Sequence, residues 1–431
     1  MGNLKFIKCG KLFDGVNREL KEGWNILVDD KVISAIGPDI ACPEGAEVID
    51  LSGLTVTPGL IDAHVHFDFV GKSVTGTLER LTWSNERKTF HILYCAQKAL
   101  ERGFTTTRIF NSAIGTFGVM DAKRVINEGL FPGARIITAP NTVTTSGGHS
   151  DKSSYMRTNP QLAELMEPLQ NGLGNGPDYY RAYVRKQVKY GADLIKIMAT
   201  GGFSSPNDGP EDCQLDQDEL RAIIDTAHQV HSTVTAHAYT SELVSNLVNL
   251  GIDGIEHGAM IDRATADLML EKGTYLVPTM VPYEDIIHPD PEKLKMKQPA
   301  FRNKLIKYAD RLRETRQLIC QLIAEDKMTI GYGTDIVRVF NNYDCWHEFE
   351  TWRANGIDAL TTLRAATSVN ARIVHQPDIG ALEVGKIADI AAWGADILND
   401  VEALRVCDFV MKEGTVYKKT RDDKVPAHID Y

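Results

Sequence analysis

The chain has 431 residues, enough for a large core and a second, smaller domain. It is 43% hydrophobic and 24% charged, with no apolar run as long as a membrane helix, so its make-up is that of an ordinary globular protein. A net charge of -11 argues against nucleic acid as a partner, and seven cysteines without a CxxC pair suggest reduced thiols rather than a disulfide framework. The opening "MGNLKFIKCG" lacks the apolar centre of a secretory signal, so a cytoplasmic location without a membrane is expected.

Residues 3–57 read as short strands broken by turns: "FIKCGKLFDG", "NILVDDKVISAIG" and "EVIDLSGLTVTPG", with "DDK" at 29–31 as a hairpin tip. The middle then alternates. Strand-like runs are "LIDAHVH", "TTTRIF", "ARIITAP", "DLIKIMAT", "STVTAHAY", "GIEHG", "TYLVPTM" and "MTIGYGTD". Helix-like segments such as "KTFHILYCAQKALERG" and "DQDELRAIIDTAHQVH" lie between most of them. Residues 150–180, rich in Asn, Gly and Pro, read as a long connection that covers a site. The C-terminus returns to strands, with "IADIAAWG" and a hairpin in "FVMKEGTVYKK" around Glu413-Gly414. Alternation implies parallel strands, and eight such units fit an α/β fold of the (β/α)8 TIM-barrel type. A doubly wound open sheet is the alternative, against which counts the absence of GxGxxG after the first strand. The two β-rich ends are expected to pair into one small sheet domain.

The run "LIDAHVHFDF" puts His64 and His66 on one face of a strand, and Asp62 and Asp68 continue that polar row. Such a pair needs partners for its ring nitrogens, which water, backbone or a metal ion can supply. Chemistry in a barrel sits at the C-terminal ends of its strands. There the other runs carry Lys196 in the fourth, His237 in the fifth, His257 in the sixth and Asp335 in the eighth. Each alone has a structural reading: a buried ion pair for the lysine, a hydrogen-bonded core residue for a histidine, a helix cap for Asp335. Six such residues together at strand ends are hard to explain that way.

This arrangement resembles the amidohydrolase superfamily, with HxH on the first strand, Lys on the fourth, His on the fifth and sixth and Asp on the eighth. "TPGLIDAHVH" and "GTD" match its motif surroundings. The likeness covers most of the chain, and implies residues 58–378 as the metal-dependent barrel with a β-sandwich split between residues 1–57 and 379–431. "KIMATGG", "TTSGGH", "TAHAY" and "GIEHG" are similar to the branch of imidazolonepropionase-like proteins, Xaa-Pro dipeptidases (prolidases) and metal-dependent carboxypeptidases. The resemblance implies two divalent metal ions, usually zinc. His64, His66 and Asp335 would hold one and His237 and His257 the other, with Lys196 N-carboxylated as the bridge. Asp335 would serve as general base and acid. A small-molecule or dipeptide substrate and a homo-oligomer, with an octamer as one option, are also implied by the resemblance.

Tyr239 follows His237 by two residues and shares its side of the strand if the strand persists. His149 follows the flexible "TSGG" after the third strand. By resemblance both bind the substrate near its C-terminal carboxylate. His91, His228, His231, His288, His347, His375 and His428 match no motif, and Arg338 reads as a solvated loop residue. The substrate cues conflict. "FDFVGKSVTGTLERL" is apolar, whereas Glu284 and Asp285 after the seventh run favour a basic group. The leading expectation is hydrolysis of the C-terminal amide bond of a dipeptide or N-acyl amino acid. The alternatives are an amidase for ochratoxin-like phenylalanine conjugates and an imidazolonepropionase-like heterocycle hydrolase. A non-catalytic scaffold is disfavoured because all six ligand-type residues are present.

Overall fold

The computed structural model describes residues 4–68, 83–111, 117–336, 343, 345–394 and 396–425. The N-terminal strands are β1 (Leu4–Leu12), β2 (Lys21–Glu22), β3 (Asn25–Asp29), β4 (Val32–Gly37) and β5 (Glu47–Pro58). Seven parallel strands follow: β6 (Leu60–Val65), β7 (Phe104–Phe110), β8 (Arg135–Ala139), β9 (Leu194–Met198), β10 (Thr233–Thr240), β11 (Gly254–Met260) and β12 (Tyr275–Val277). The chain ends in β13 (Ile390–Trp393), β14 (Phe409–Lys412) and β15 (Thr415–Lys418).

The two chain ends form one eight-stranded mixed sheet in the order β15-β14-β13-β5-β1-β3-β4, with β2 on β1. Both expected hairpins are present. Asp29 pairs with Val32 around a tip where Asp30 has φ 53°, and Lys412 pairs with Thr415 around Glu413 at φ 50°. Left-handed tips match the twist of the flanking strands. Arg135, at the start of β8, donates to Asp389 (2.7 Å) and Glu413 (2.8 Å), tying this sheet to the parallel strands.

The parallel strands fall into two sheets, β6-β7-β8 and β12-β11-β10-β9. Their residues are buried on both faces, as expected of strands covered by helices. Ile61, Ala63, Phe110, Ile137 and Leu194 pack in one cluster, while Leu60, Val65, Ile109, Ile136 and Ile195 pack in another against the helices. Ser84 caps the helix Asn85–Glu101, Asp216 opens Gln217–Gln229 with a full capping box, and Asp262 caps Arg263–Lys272. None of the helices among the described residues is long and apolar enough to cross a membrane.

Two expectations are modified. The eighth run, "MTIGYGTD", forms no continuous strand. It makes isolated parallel bridges, Ile330 to Leu276 and Ile336 to Val65, and a third bridge joins Val143 to Ile197 between the two sheets. Backbone bonds to both neighbours remain, such as Gly331 to the Leu276 carbonyl and Asp335 to the His64 carbonyl, but side chains take two of the amides between them. The Tyr332 amide donates to Asn370 Oδ1 and the Thr334 amide to Asp62 Oδ1, each at 3.1 Å. The long connection at residues 150–180 carries secondary structure of its own. It holds the 3-10 turns Lys152–Met156 and Glu167–Leu169, the helix Pro160–Met166 and the start of the helix Pro177–Lys189. Asn159 caps the helix Pro160–Met166, with proline directly after it, which is a strong local start signal.

Candidate active site

β6 delivers His64 and His66 to a common point. Their Nε2 atoms are 3.3 Å apart and lie 3.6 and 3.1 Å from Asp335 Oδ1. One ligand-type atom from each of the three residues lies within 4.8 Å of the others, so this trio could hold a metal ion. The far side of each ring is tied. His64 Nδ1 donates to Glu256 Oε2 (2.7 Å) and His66 Nδ1 donates to the Phe110 carbonyl (2.5 Å). Those bonds leave the Nε2 lone pairs for the centre. Asp335 is placed from the backbone, its amide donating to the His64 carbonyl at 2.8 Å. Gly333 permits this approach, because a Cβ there would sit 2.9 Å from His64 Cβ.

His257 and His237 stand beside the trio. Ring centroids are 5.1 Å apart for His64–His257 and 4.6 Å for His237–His257. His257 shares a 2.7 Å hydrogen bond with Thr279 through Nδ1. His257, Thr279 and Asp335 all lie in the left-handed region, with φ 73°, 44° and 51°. Non-glycine residues hold such angles at a cost, and they cluster at functional sites. Lys196 projects from the middle of β9 with its ammonium nitrogen 4.4 Å from the Phe110 ring centroid. Lys196 Nζ and His237 Nε2 are both buried without a hydrogen-bond partner. Two orphaned nitrogens beside three converging ligand atoms are what a site shaped for cations leaves when written in protein atoms alone.

The electrostatics agree with that chemistry. Burial, reinforced by neighbouring positive groups, holds His64 and His237 well below the ordinary histidine range, and burial pushes His257 down to about 3. Neutral imidazoles are the ligating form. Burial opposes the charge on Asp335, but the His66 hydrogen bond and nearby imidazoles outweigh it and hold its carboxyl well below the usual range. Burial pushes Lys196 down to about 7.

His149 and Tyr239 flank the same imidazoles. The His149 ring stacks on His237 with centroids 4.6 Å apart, and Tyr239 lies 4.8 Å from His237 and 5.5 Å from His257. Gly202 makes room for His149, since a Cβ there would stand 2.1 Å from the ring. Tyr283 donates to the Tyr239 oxygen at 3.0 Å, leaving the Tyr239 proton for another acceptor. The remaining candidates go elsewhere. Asp62 does not continue the His64–His66 row but accepts from Thr334 and Tyr343, because its carboxylate takes one amide of the eighth run. Glu284 pairs with Arg316 and His288, and Asp285 with Lys297, so the acidic cue for a basic substrate is neutralised within the chain. His228 pairs with Asp253. Residues 69–82, Arg338 and His428 lie outside the described residues.

Glu256 and Arg108 were not singled out by sequence. Arg108 donates to Glu256 Oε1 (2.7 Å), to the Ala63 carbonyl (2.6 Å) and to Tyr275 (2.7 Å), all buried. Glu256 also accepts from Thr235 at 2.7 Å, so a fully satisfied network stands behind His64. The signal was available: a charge inside an apolar strand, as for Lys196.

The amidohydrolase family pattern matches residues 55–417, and the chain belongs to that family. It is accordingly a hydrolase acting on amide bonds. Ochratoxinase from Aspergillus niger is 26% identical over 435 residues, covering 96% of this chain and 86% of that protein. A solved Xaa-Pro dipeptidase with methionine in its active site superposes with TM-score 0.83 at 30% identity, over 96% of this chain and 100% of the other. A prolidase complexed with N-methylphosphonate-L-proline gives TM-score 0.79 at 28% identity, over 96% and 99%.

Proposed function

We propose that the chain is a binuclear metal-dependent hydrolase of the C-terminal amide bond of dipeptides or N-acyl amino acids. The observation that carries this reading is Lys196, a buried amine without a partner set among four histidines and an aspartate. His64, His66 and Asp335 would hold one ion, His237 and His257 the other, and zinc suits the donor set. An ammonium offers only donors. Lowered to about 7, Lys196 has a free-amine fraction that would add to carbon dioxide with loss of one proton, turning a donor-only group into a carbamate with acceptor oxygens. The parallel bridges between the two sheets and the eighth run support a closed (β/α)8 barrel over residues 58–378, with a β-sandwich from residues 1–57 and 379–431. The reading includes a cytoplasmic homo-oligomer acting on a small molecule or dipeptide, without nucleic acid or membrane.

Divalent ions held by these residues would supply Lewis-acid polarisation of the scissile carbonyl and a lowered pKa for the attacking water. Asp335 accepts the water proton as the oxygen adds to the carbonyl carbon. It returns that proton to the amine nitrogen as the C–N bond breaks. His149 holds the free carboxylate, and the Tyr239 phenol donates to the carbonyl or to the carboxylate. Burial pushes the Tyr239 phenol well up, so it remains a donor. A second reading, an amidase for ochratoxin-like phenylalanine conjugates, draws support from the likeness to ochratoxinase and from the cluster of Phe203, Tyr239, Tyr283 and Tyr308.

Amidating the substrate's C-terminus tests the exopeptidase reading. A charge-assisted hydrogen bond contributes about 1.5–3 kcal/mol, so kcat/KM should fall roughly 10- to 100-fold. His149→Ala should give a similar loss with the free acid and little further loss with the amide, because both changes remove one interaction. Equal cleavage of acid and amide by the unmodified enzyme would point instead to a broad amidase.

A further inference from the structure

His149 is held by a short segment far from it in sequence. Its Nδ1 lies 2.8 Å from Ser205 Oγ and 3.5 Å from Asp208 Oδ2. Ser205 donates its own proton to Asp208 Oδ1, so the Ser205 oxygen accepts from His149 Nδ1–H and the Nε2 edge is left for the site. The Asp208 carboxylate also accepts from the Gly202 amide (2.9 Å) and from Gln214 Nε2 (3.2 Å), while Gln214 Oε1 accepts from the His149 amide (2.6 Å). The segment doing this, "GGFSSPNDG" at 201–209, is rich in turn residues and belongs to no strand or helix. Such a segment does not hold one conformation by itself.

Lys304 holds it. Lys304 lies on the helix Pro299–Lys307, after β12. Its ammonium donates to the Gly202 carbonyl (2.7 Å), the Ser205 carbonyl (2.6 Å) and the Asp208 carbonyl, and lies 3.7 Å from Asp208 Oδ1. An ammonium has three N–H donors, and all three are used on this one turn. Lys304 therefore has no donor left for a substrate carboxylate, although a lysine at the rim of an active site invites that role. Phe203, in the same turn, packs edge-on against Tyr239 at 5.1 Å and near Phe301 at 6.4 Å, so the turn is also wedged between the site and this helix.

We propose that Lys304 and Asp208 are positioning residues that fix the His149 ring for recognition of the substrate's free carboxylate, an inference that rests on the carboxylate-binding reading of His149. The helix Pro299–Lys307 thereby sets substrate affinity without touching the substrate.

The test uses Lys304→Met, which keeps the apolar stem and removes the donors, and Asp208→Asn as a second variant. Each is crystallised and assayed on a free-acid substrate and its C-terminal amide, with the thermal midpoint as a folding control. KM for the free acid should rise about tenfold, the scale of one charge-assisted hydrogen bond, while kcat and the amide reaction stay within about twofold. The His149 ring should leave its stacked position on His237. A ring still stacked and still bonded to Ser205 in both variants overturns the roles of Lys304 and Asp208, as does an equal fall in kcat on both substrates. Equal cleavage of acid and amide by the unmodified enzyme overturns the carboxylate reading itself, and the ring position in the variants distinguishes the two failures.

Discussion

Lys196→Ala should leave a folded protein with turnover reduced by about 10⁴-fold or more, the scale of losing one member of a catalytic unit. In the proposed centre Lys196 links the His64–His66–Asp335 trio to the His237–His257 pair, and the substitution removes that link. Folding should survive. Losing the lysine stem opens a cavity, but the change also removes a buried amine that has no hydrogen-bond partner, and these effects oppose each other. Short carboxylic acids added to the variant should restore part of the activity by supplying the two missing oxygens. Mass or density measured under carbon dioxide should show the added carboxyl group in the unmodified enzyme. An unmodified lysine in an active, metal-loaded enzyme would overturn the bridging role.

Asp335→Asn should lower kcat by about 10²- to 10⁴-fold with a smaller change in KM, as expected for lost proton transfer. Asparagine is the informative replacement. Asp335 sits at φ 51°, a left-handed angle that asparagine tolerates better than alanine, so the backbone is kept. Since Asp335 is also a proposed ligand, metal content must be measured on the same sample. A metal-replete asparagine variant with near-normal turnover removes Asp335 from the mechanism.

The residues that converge here were legible because each lies at a strand end or inside an apolar run where a polar side chain needs a reason. His64, His66, His237 and His257 stand out in that way, and so does Lys196. Glu256 and Arg108 carried the same signal, Glu256 beside His257 in a motif already assigned to that histidine and Arg108 inside the strand-like run "TTTRIF". The hairpins at Asp30 and Glu413 were legible from turn chemistry. The eighth run reads as a strand but pairs only through isolated bridges, because two of its amides are taken by the side chains of Asp62 and Asn370, 272 and 38 residues away. No local pattern reports such a substitution. The support of His149 was equally hidden. Ser205, Asp208 and Lys304 have no diagnostic spacing, and only the fold brings the helix Pro299–Lys307 over the turn at 201–209. Glu284 and Asp285 read as specificity cues in sequence because their partners, Arg316 and Lys297, come from later segments of the chain.

Metal analysis of the protein purified without chelator reads the proposed two-metal centre itself. A two-metal centre gives about two divalent ions per chain, falling together with activity on chelation and returning together on re-addition. A reproducible value of one ion per chain in fully active enzyme would contradict it.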